Sequence, residues 1–193
     1  MFLNLHGAEL ERLEQAGALG RIAARARRRA VRAGDDEIDT GHLLHALLES
    51  DDRALALIAP LATQSTRLMG YLAQRSIGFG RDWRPGEGTS ARRPRRSAPP
   101  GWSRSAVAAL ERAELAALIR SRGEAEPDGL DLLAALVSDA ESRAVEMLGG
   151  AGIGPLEALQ RIRTVVRGER EEQGGMADGV DGGEGAVTAN DWE

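Results

Sequence analysis

One helical passage occurs twice in this chain. Its clearest lines are His42-Leu43-Leu44-His45-Ala46-Leu47-Leu48 and Asp131-Leu132-Leu133-Ala134-Ala135-Leu136-Val137. Each is followed by an acidic turn and a shorter apolar stretch, Arg53-Ala54-Leu55-Ala56-Leu57-Ile58 in one case and Arg143-Ala144-Val145-Glu146-Met147-Leu148 in the other. A repeat constrains architecture before any single motif does, because copies of one supersecondary unit bury their apolar faces against each other. The pattern predicts an all-α fold built from duplicated four-helix repeats with pseudo-two-fold symmetry and no strands. Residues 1–19 form an N-terminal extension, 20–75 the first repeat, 76–101 a flexible basic linker, 102–167 the second repeat and 168–193 a disordered acidic tail.

Helical periodicity supplies the elements. Leu10, Leu13, Ala16 and Leu19 recur at helical spacing, and Ile22, Ala23, Ala26 and Ala30 continue an apolar stripe opposite Arg25, Arg27, Arg28, Arg29 and Arg32. Gly34 is a stop signal, and Asp39 or Thr40 an N-cap for a helix to about Glu49. Asp51 and Asp52 cap a short helix that ends ahead of Pro60, and Thr63-Gln64-Ser65 opens the next. Glycines and prolines then break every pattern up to Gly101, where Arg92-Arg93-Pro94-Arg95-Arg96 is a basic tether suited to the acidic tail. Ser103 caps a helix with apolar positions Val107, Leu110, Ala113, Ala117 and Leu118. Asp128 caps another. A helix from about Glu141 stops at Gly149-Gly150, and Pro155 opens the last, which carries Leu156, Leu159, Ile162, Val165 and Val166.

Two absences exclude whole classes of chemistry. Without Cys there is no disulfide, thiolate nucleophile or thiolate zinc site. Without Lys there is no P-loop ATPase, no Schiff base and no Ser-Lys dyad. No nucleophile elbow, convergent carboxylate pair or phosphate cradle is legible, so no catalytic residue and no cofactor is assigned. His42 and His45 are spaced for one helix face, but packing is favoured over a metal: His42 between helices, His45 partly exposed. The start, Met1-Phe2-Leu3-Asn4-Leu5-His6, is not a secretory signal, and no apolar run is long enough for a bilayer, which points to the cytoplasm and no membrane partner.

The order of motifs resembles the Clp N-terminal domain, the duplicated helical module that precedes the ATPase rings of Clp-type unfoldases. The family opens each copy with an aromatic and a Ser or Thr followed by spaced alanines. Here Trp102-Ser103 leads to Ala106, Ala109, Leu110, Ala113 and Ala117. The family then shows Gly-Thr-Glu-His-Leu-Leu-x-Ala-Leu-Leu; here Asp39-Thr40-Gly41-His42-Leu43-Leu44-His45-Ala46-Leu47-Leu48 stands in that place, with Asp128-Gly129-Leu130-Asp131-Leu132-Leu133 as the second copy. The resemblance covers most of residues 20–166. It implies a non-enzymatic docking module for peptides or adaptor proteins, resembling a stand-alone copy of the N-domain of ClpC-type unfoldases. Such a module modulates a Clp-type ATPase-protease or sequesters peptide ligands. It implies a peptide groove with an aromatic and a downstream acid, matched by Trp102 and Glu111, and an N-terminal aromatic, matched by Phe2. The glutamates with which ClpC-type relatives hold phosphorylated arginine are replaced by Gly41 and Leu130, which offer no side-chain acceptor.

Two readings from other classes stand beside it. One is a helical nucleic-acid-binding or regulatory protein using the Arg-rich helix at 25–32; the net charge of −5 argues against it. The other is a hydrolase whose site the sequence does not reveal.

Overall fold

The computed structural model describes residues 17–76, 99–121 and 126–177. In chain order the described elements are α1 (Gly17–Ala33), β1 (Glu37–Ile38), α2 (Thr40–Leu48), α3 (Asp52–Ile58), α4 (Ala62–Ser76), β2 (Gly101–Trp102), α5 (Arg104–Ser121), α6 (Gly129–Val137), α7 (Arg143–Gly150) and α8 (Pro155–Ala177). The all-α expectation holds for this part of the chain, with one difference. Glu37–Ile38 and Gly101–Trp102 pair as two short parallel strands, extended by a bond from the Ser103 N–H to the Ile38 carbonyl at 3.0 Å. Two residues are too few to register as alternation in a sequence, so the bridge was invisible to periodicity.

Side chains at the helix starts take up the orphan backbone donors that every helix leaves. Asp39 accepts from the His42 N–H at 3.0 Å, and His42 Nδ1 accepts from the Asp39 N–H at 3.1 Å. This is a capping box with histidine where glutamate or glutamine is usual. At α6 the same box is built from Asp128 and Asp131: Asp128 accepts from the Leu130 and Asp131 N–H groups, and Asp131 from the Asp128 N–H at 3.1 Å. Asp51 caps α3 and Ser142 caps α7 in the simpler way. Two helices end in the Schellman arrangement, which needs a left-handed residue. After α1, Gly34 (φ 66°) allows the Asp35 N–H to reach the Ala30 carbonyl. After α7, Gly152 (φ 75°) lets the Ile153 N–H reach Leu148. That second ending explains why α7 runs through Gly149 and Gly150 instead of stopping at them.

The core is assembled mainly from Leu and Ala. α1 buries Leu19, Ile22, Ala23, Ala26 and Ala30; α5 buries Ala106, Ala109, Leu110, Ala113 and Ala117. α3 buries Ala54 and Ile58, and α7 buries Ala144 and Leu148 at the same spacing. Small residues on these stripes let helix axes approach closely. The central helix α2 is buried on every side, between α1, α6 and α7. The outer helices cross over: α4 lies on α7 as well as on α1, while α8 lies on α3 as well as on α6.

Polar bonds tie distant parts together. Thr40 Oγ1 accepts from the Ala144 N–H at 3.1 Å in a buried position, giving an orphan donor of α7 a partner more than a hundred residues away. Arg161 on α8 donates from Nε and Nη2 to the Leu57 and Ile58 carbonyls, each at 3.0 Å, and so closes the C-terminal end of α3.

Several expectations change. α4 begins at Ala62, with the Leu61 carbonyl taking the first bonds from Gln64 and Ser65. α8 runs on to Ala177, eleven residues past Val166 where its apolar stripe ends, so residues 168–177 of the expected disordered tail are helical. Leu118 and Leu156, read as inward, are exposed. On α5 the buried stripe ends on Ala117, and the next residue is turned about 100° away from it. Leu10, Leu13, the basic segment 92–96 and the tail from 178 lie outside the described residues.

Candidate functional site

Trp102 sits at the end of β2, where the bridge to Ile38 sets its backbone and Ser103 begins the turn into α5. Its ring is half-buried against the core. The Arg27 guanidinium of α1 lies 5.9 Å from the ring centroid, within cation–π range. The indole N–H is buried and meets no hydrogen-bond partner among the described residues. An unmet buried donor costs about 1–3 kcal/mol, which a phenylalanine at the same place would not incur. Trp102 thus packs against the core and also carries a polar group unmet among the described residues.

Glu111 lies two turns into α5 and is half-buried. The same face of the helix continues in apolar residues that are open to solvent: Leu115 is 53%, Leu118 57% and Ile119 64% exposed. Residues at i, i+4, i+7 and i+8 lie on one strip. The structure therefore adds three residues to Glu111 on this helix and Trp102 just ahead of it. The signal for them was present. α5 carries leucines and an isoleucine off its alanine stripe, so it is apolar on two sides, and only one side can face the core. Phe2, the third predicted site residue, lies outside the described residues, as do Trp83 and Trp192.

The histidines of α2 are structural in their geometry. His42 Nε2 lies 2.9 Å from Asp35 Oδ2, and its Nδ1 lies 3.1 Å from the Asp39 backbone nitrogen and 2.8 Å from Asp39 Oδ1. His45, expected to be partly exposed, is buried. Its Nδ1 lies 3.1 Å from Arg29 Nη1, and its Nε2 lies 3.3 Å from Glu49 Oε1. Burial first, and then the charge of Arg29, lower its pKa from 6.5 to about 4. Glu49, ion-paired with Arg29, is also lowered: burial would raise it, but the hydrogen bond and charge of Arg29 prevail. Among the described residues no group of three or more His, Asp or Glu side chains is placed to hold a metal ion.

Gly41 and Leu130, which the resemblance sets against phosphoarginine-binding glutamates, are placed as follows. A Cβ at Gly41 would meet Met147 Cε at 2.7 Å and Sδ at 2.9 Å, so the α7 methionine occupies the space of a side chain there. Leu130 is buried at the start of α6. Beside it Asp131 accepts from Arg120 Nη2 at 2.6 Å, and this hydrogen bond first of all raises the Arg120 pKa.

No helix of the described residues is long and apolar enough to cross a membrane. No protein-family model and no curated protein matches this chain.

Proposed function

We propose that this chain is a non-enzymatic peptide- or adaptor-binding protein of the Clp N-domain type, made of two four-helix repeats. The reading is supported by the coincidence of two sets of elements. α1 to α4 and α5 to α8 follow the same order of long, nine-residue, short and long helices, with aspartate capping boxes at the same helix of each set. The crossed packing of α4 on α7 and α8 on α3 is what a two-fold relation between the sets would produce.

The observation that carries the binding role is the solvent-exposed strip Leu115–Leu118–Ile119, running on from Glu111 on the helix that Trp102 introduces. Apolar side chains grouped on one strip mark interaction surfaces more often than stability devices. An amphipathic or extended segment laid along α5 would cover the leucines and offer donors to Glu111. In this reading the partners are peptides, adaptor proteins or a Clp-type ATPase-protease, and phosphoarginine is not a ligand at Gly41 or Leu130.

The test is a selection of peptides on the full chain, with affinities then measured by fluorescence anisotropy. Trp102→Ala and Leu118→Ser are each expected to weaken the selected peptides at least about tenfold, a loss of roughly 1.4 kcal/mol. Selected peptides that bind both variants as they bind the parent chain would place the contact elsewhere and sink the proposal. Co-purification of a Clp-type ATPase that depends on Leu118 would identify the partner.

A further inference from the structure

The arginines of α1 divide into two sets. Arg29 is taken up by His45 and Glu49, and Arg27 lies over Trp102. Arg21, Arg25, Arg28 and Arg32 are exposed, at i, i+4, i+7 and i+11, and so form one ridge along the outer face of the helix. Among the described residues none of the four is held in an ion pair or side-chain hydrogen bond like those that fix Arg29, Arg53, Arg112, Arg120 and Arg161. Val31, 55% exposed, stands beside the ridge between Arg28 and Arg32.

We propose that this ridge is a docking surface for acidic polypeptide segments. It is a separate surface from the α5 strip and does not depend on the peptide-binding role of Trp102 and Leu118. Charge complementarity carries the assignment. Four exposed guanidinium groups lie on one face of a chain whose net charge is −5, so the ridge is a local positive field on an otherwise acidic molecule. Guanidinium groups pair with carboxylates through two parallel N–H bonds, which favours a carboxylate ligand with defined spacing.

The dimensions favour a short peptide over a nucleic acid. From Arg21 to Arg32 the ridge rises about 16 Å, in steps of about 4.5–6 Å. In an extended peptide, side chains on one side recur about every 6.6 Å. Acidic residues at alternate positions therefore match successive arginines, and an apolar residue among them can rest on Val31. A phosphate backbone continuing past Arg32 would meet Asp35, Asp36 and Glu37 directly beyond the end of α1. The patch therefore suits a short acidic stretch and repels a long polyanion.

The experiment is fluorescence anisotropy on the full chain. The probe is a labelled peptide of alternating glutamate and alanine, with an alternating lysine–alanine peptide and a single-stranded oligonucleotide as comparisons. The acidic peptide is expected to bind, to weaken as salt rises, and to lose roughly tenfold in affinity with Arg25→Gln/Arg28→Gln. Because these side chains are exposed, the variant should keep its helical circular dichroism; Arg21→Gln/Arg32→Gln is a second pair with the same expected direction. A peptide spanning residues 178–193 that displaces the probe would support the site and name the chain's own tail as a competitor. The proposal is overturned if the acidic peptide fails to bind, if both arginine pairs leave its affinity unchanged, or if the oligonucleotide binds more tightly through the same arginines.

Discussion

α1 and α5 share an inner face and diverge along much of the outer one. Their buried residues follow the same steps of three, one, three and four: Leu19, Ile22, Ala23, Ala26, Ala30 on α1, and Ala106, Ala109, Leu110, Ala113, Ala117 on α5. Placed on that common register, Arg25, Arg28 and Arg32 coincide with Arg112, Leu115 and Ile119. At the last two of these places α1 turns arginines to solvent where α5 turns leucine and isoleucine. What packs is held to a tight geometric rule, since closely approaching helices tolerate few side-chain sizes. What faces water is under no such rule, and there the two helices became a charged surface and an apolar one.

The inner faces should respond strongly to change. Leu110 occupies the place that Ala23 holds on α1, and making them alike with Leu110→Ala is expected to cost about 2–5 kcal/mol through lost burial and the cavity left behind. Denaturant unfolding measures it. A cost under about 1 kcal/mol would mean that the α5 stripe is not closely packed.

The next largest effect tests the cross-link between the two sets of helices. Thr40→Val keeps the shape but strands the buried Ala144 N–H, at an expected cost of about 1–3 kcal/mol. A neutral result would show that the N–H finds water, and that α2 and α7 are less tightly joined than they are drawn here.

Acid should distinguish α2 from α6. The place of His45 on α2 is held by Ala134 on α6, which cannot titrate. A histidine with a folded pKa near 4 and an unfolded value of 6.5 binds a proton more readily when unfolded. Its contribution to stability is therefore complete above about pH 6.5 and is lost as pH falls toward 4. Glu49, also lowered, loses its contribution in the same direction below its ordinary value. Melting temperatures across this range should fall less steeply for His45→Ala than for the parent chain, although the variant starts lower. Parallel curves would show that Arg29 and Glu49 carry the acid sensitivity without the histidine.

The smallest effects belong to the outer faces. Arg28→Gln and Leu115→Gln are each expected to shift stability by no more than about 0.5 kcal/mol. Leu115→Gln should nonetheless weaken peptides selected on the α5 strip. If either substitution destabilises the fold by more than about 1 kcal/mol, that face is covered by something within the molecule, and its role as a docking surface falls.

Much of the architecture was legible before any coordinates. Asp39, Ser103 and Asp128 cap their helices, Gly34 ends α1 and Pro155 begins α8, because caps and stops depend on a few neighbouring residues. The candidate site was legible only in part. Trp102 and Glu111 could be named from a motif, whereas Leu118 was placed inside because it is apolar. Which of two apolar sides of α5 meets the core depends on neighbours that are distant in sequence. His45 was misjudged for the same reason: its burial comes from α1, where Arg29 closes over it.

The sequence by itself determined the helices, several of their caps and the repeated apolar stripes, since each is a consequence of local backbone chemistry and of a period of 3.6 residues. Only the tertiary structure decided the short parallel bridge, the methionine standing over Gly41, the division of the α1 arginines into bound and exposed, and the leucines left in water on α5. Those outcomes turn on which surfaces approach within contact distance, and contact between residues far apart along a chain is not written in any local pattern.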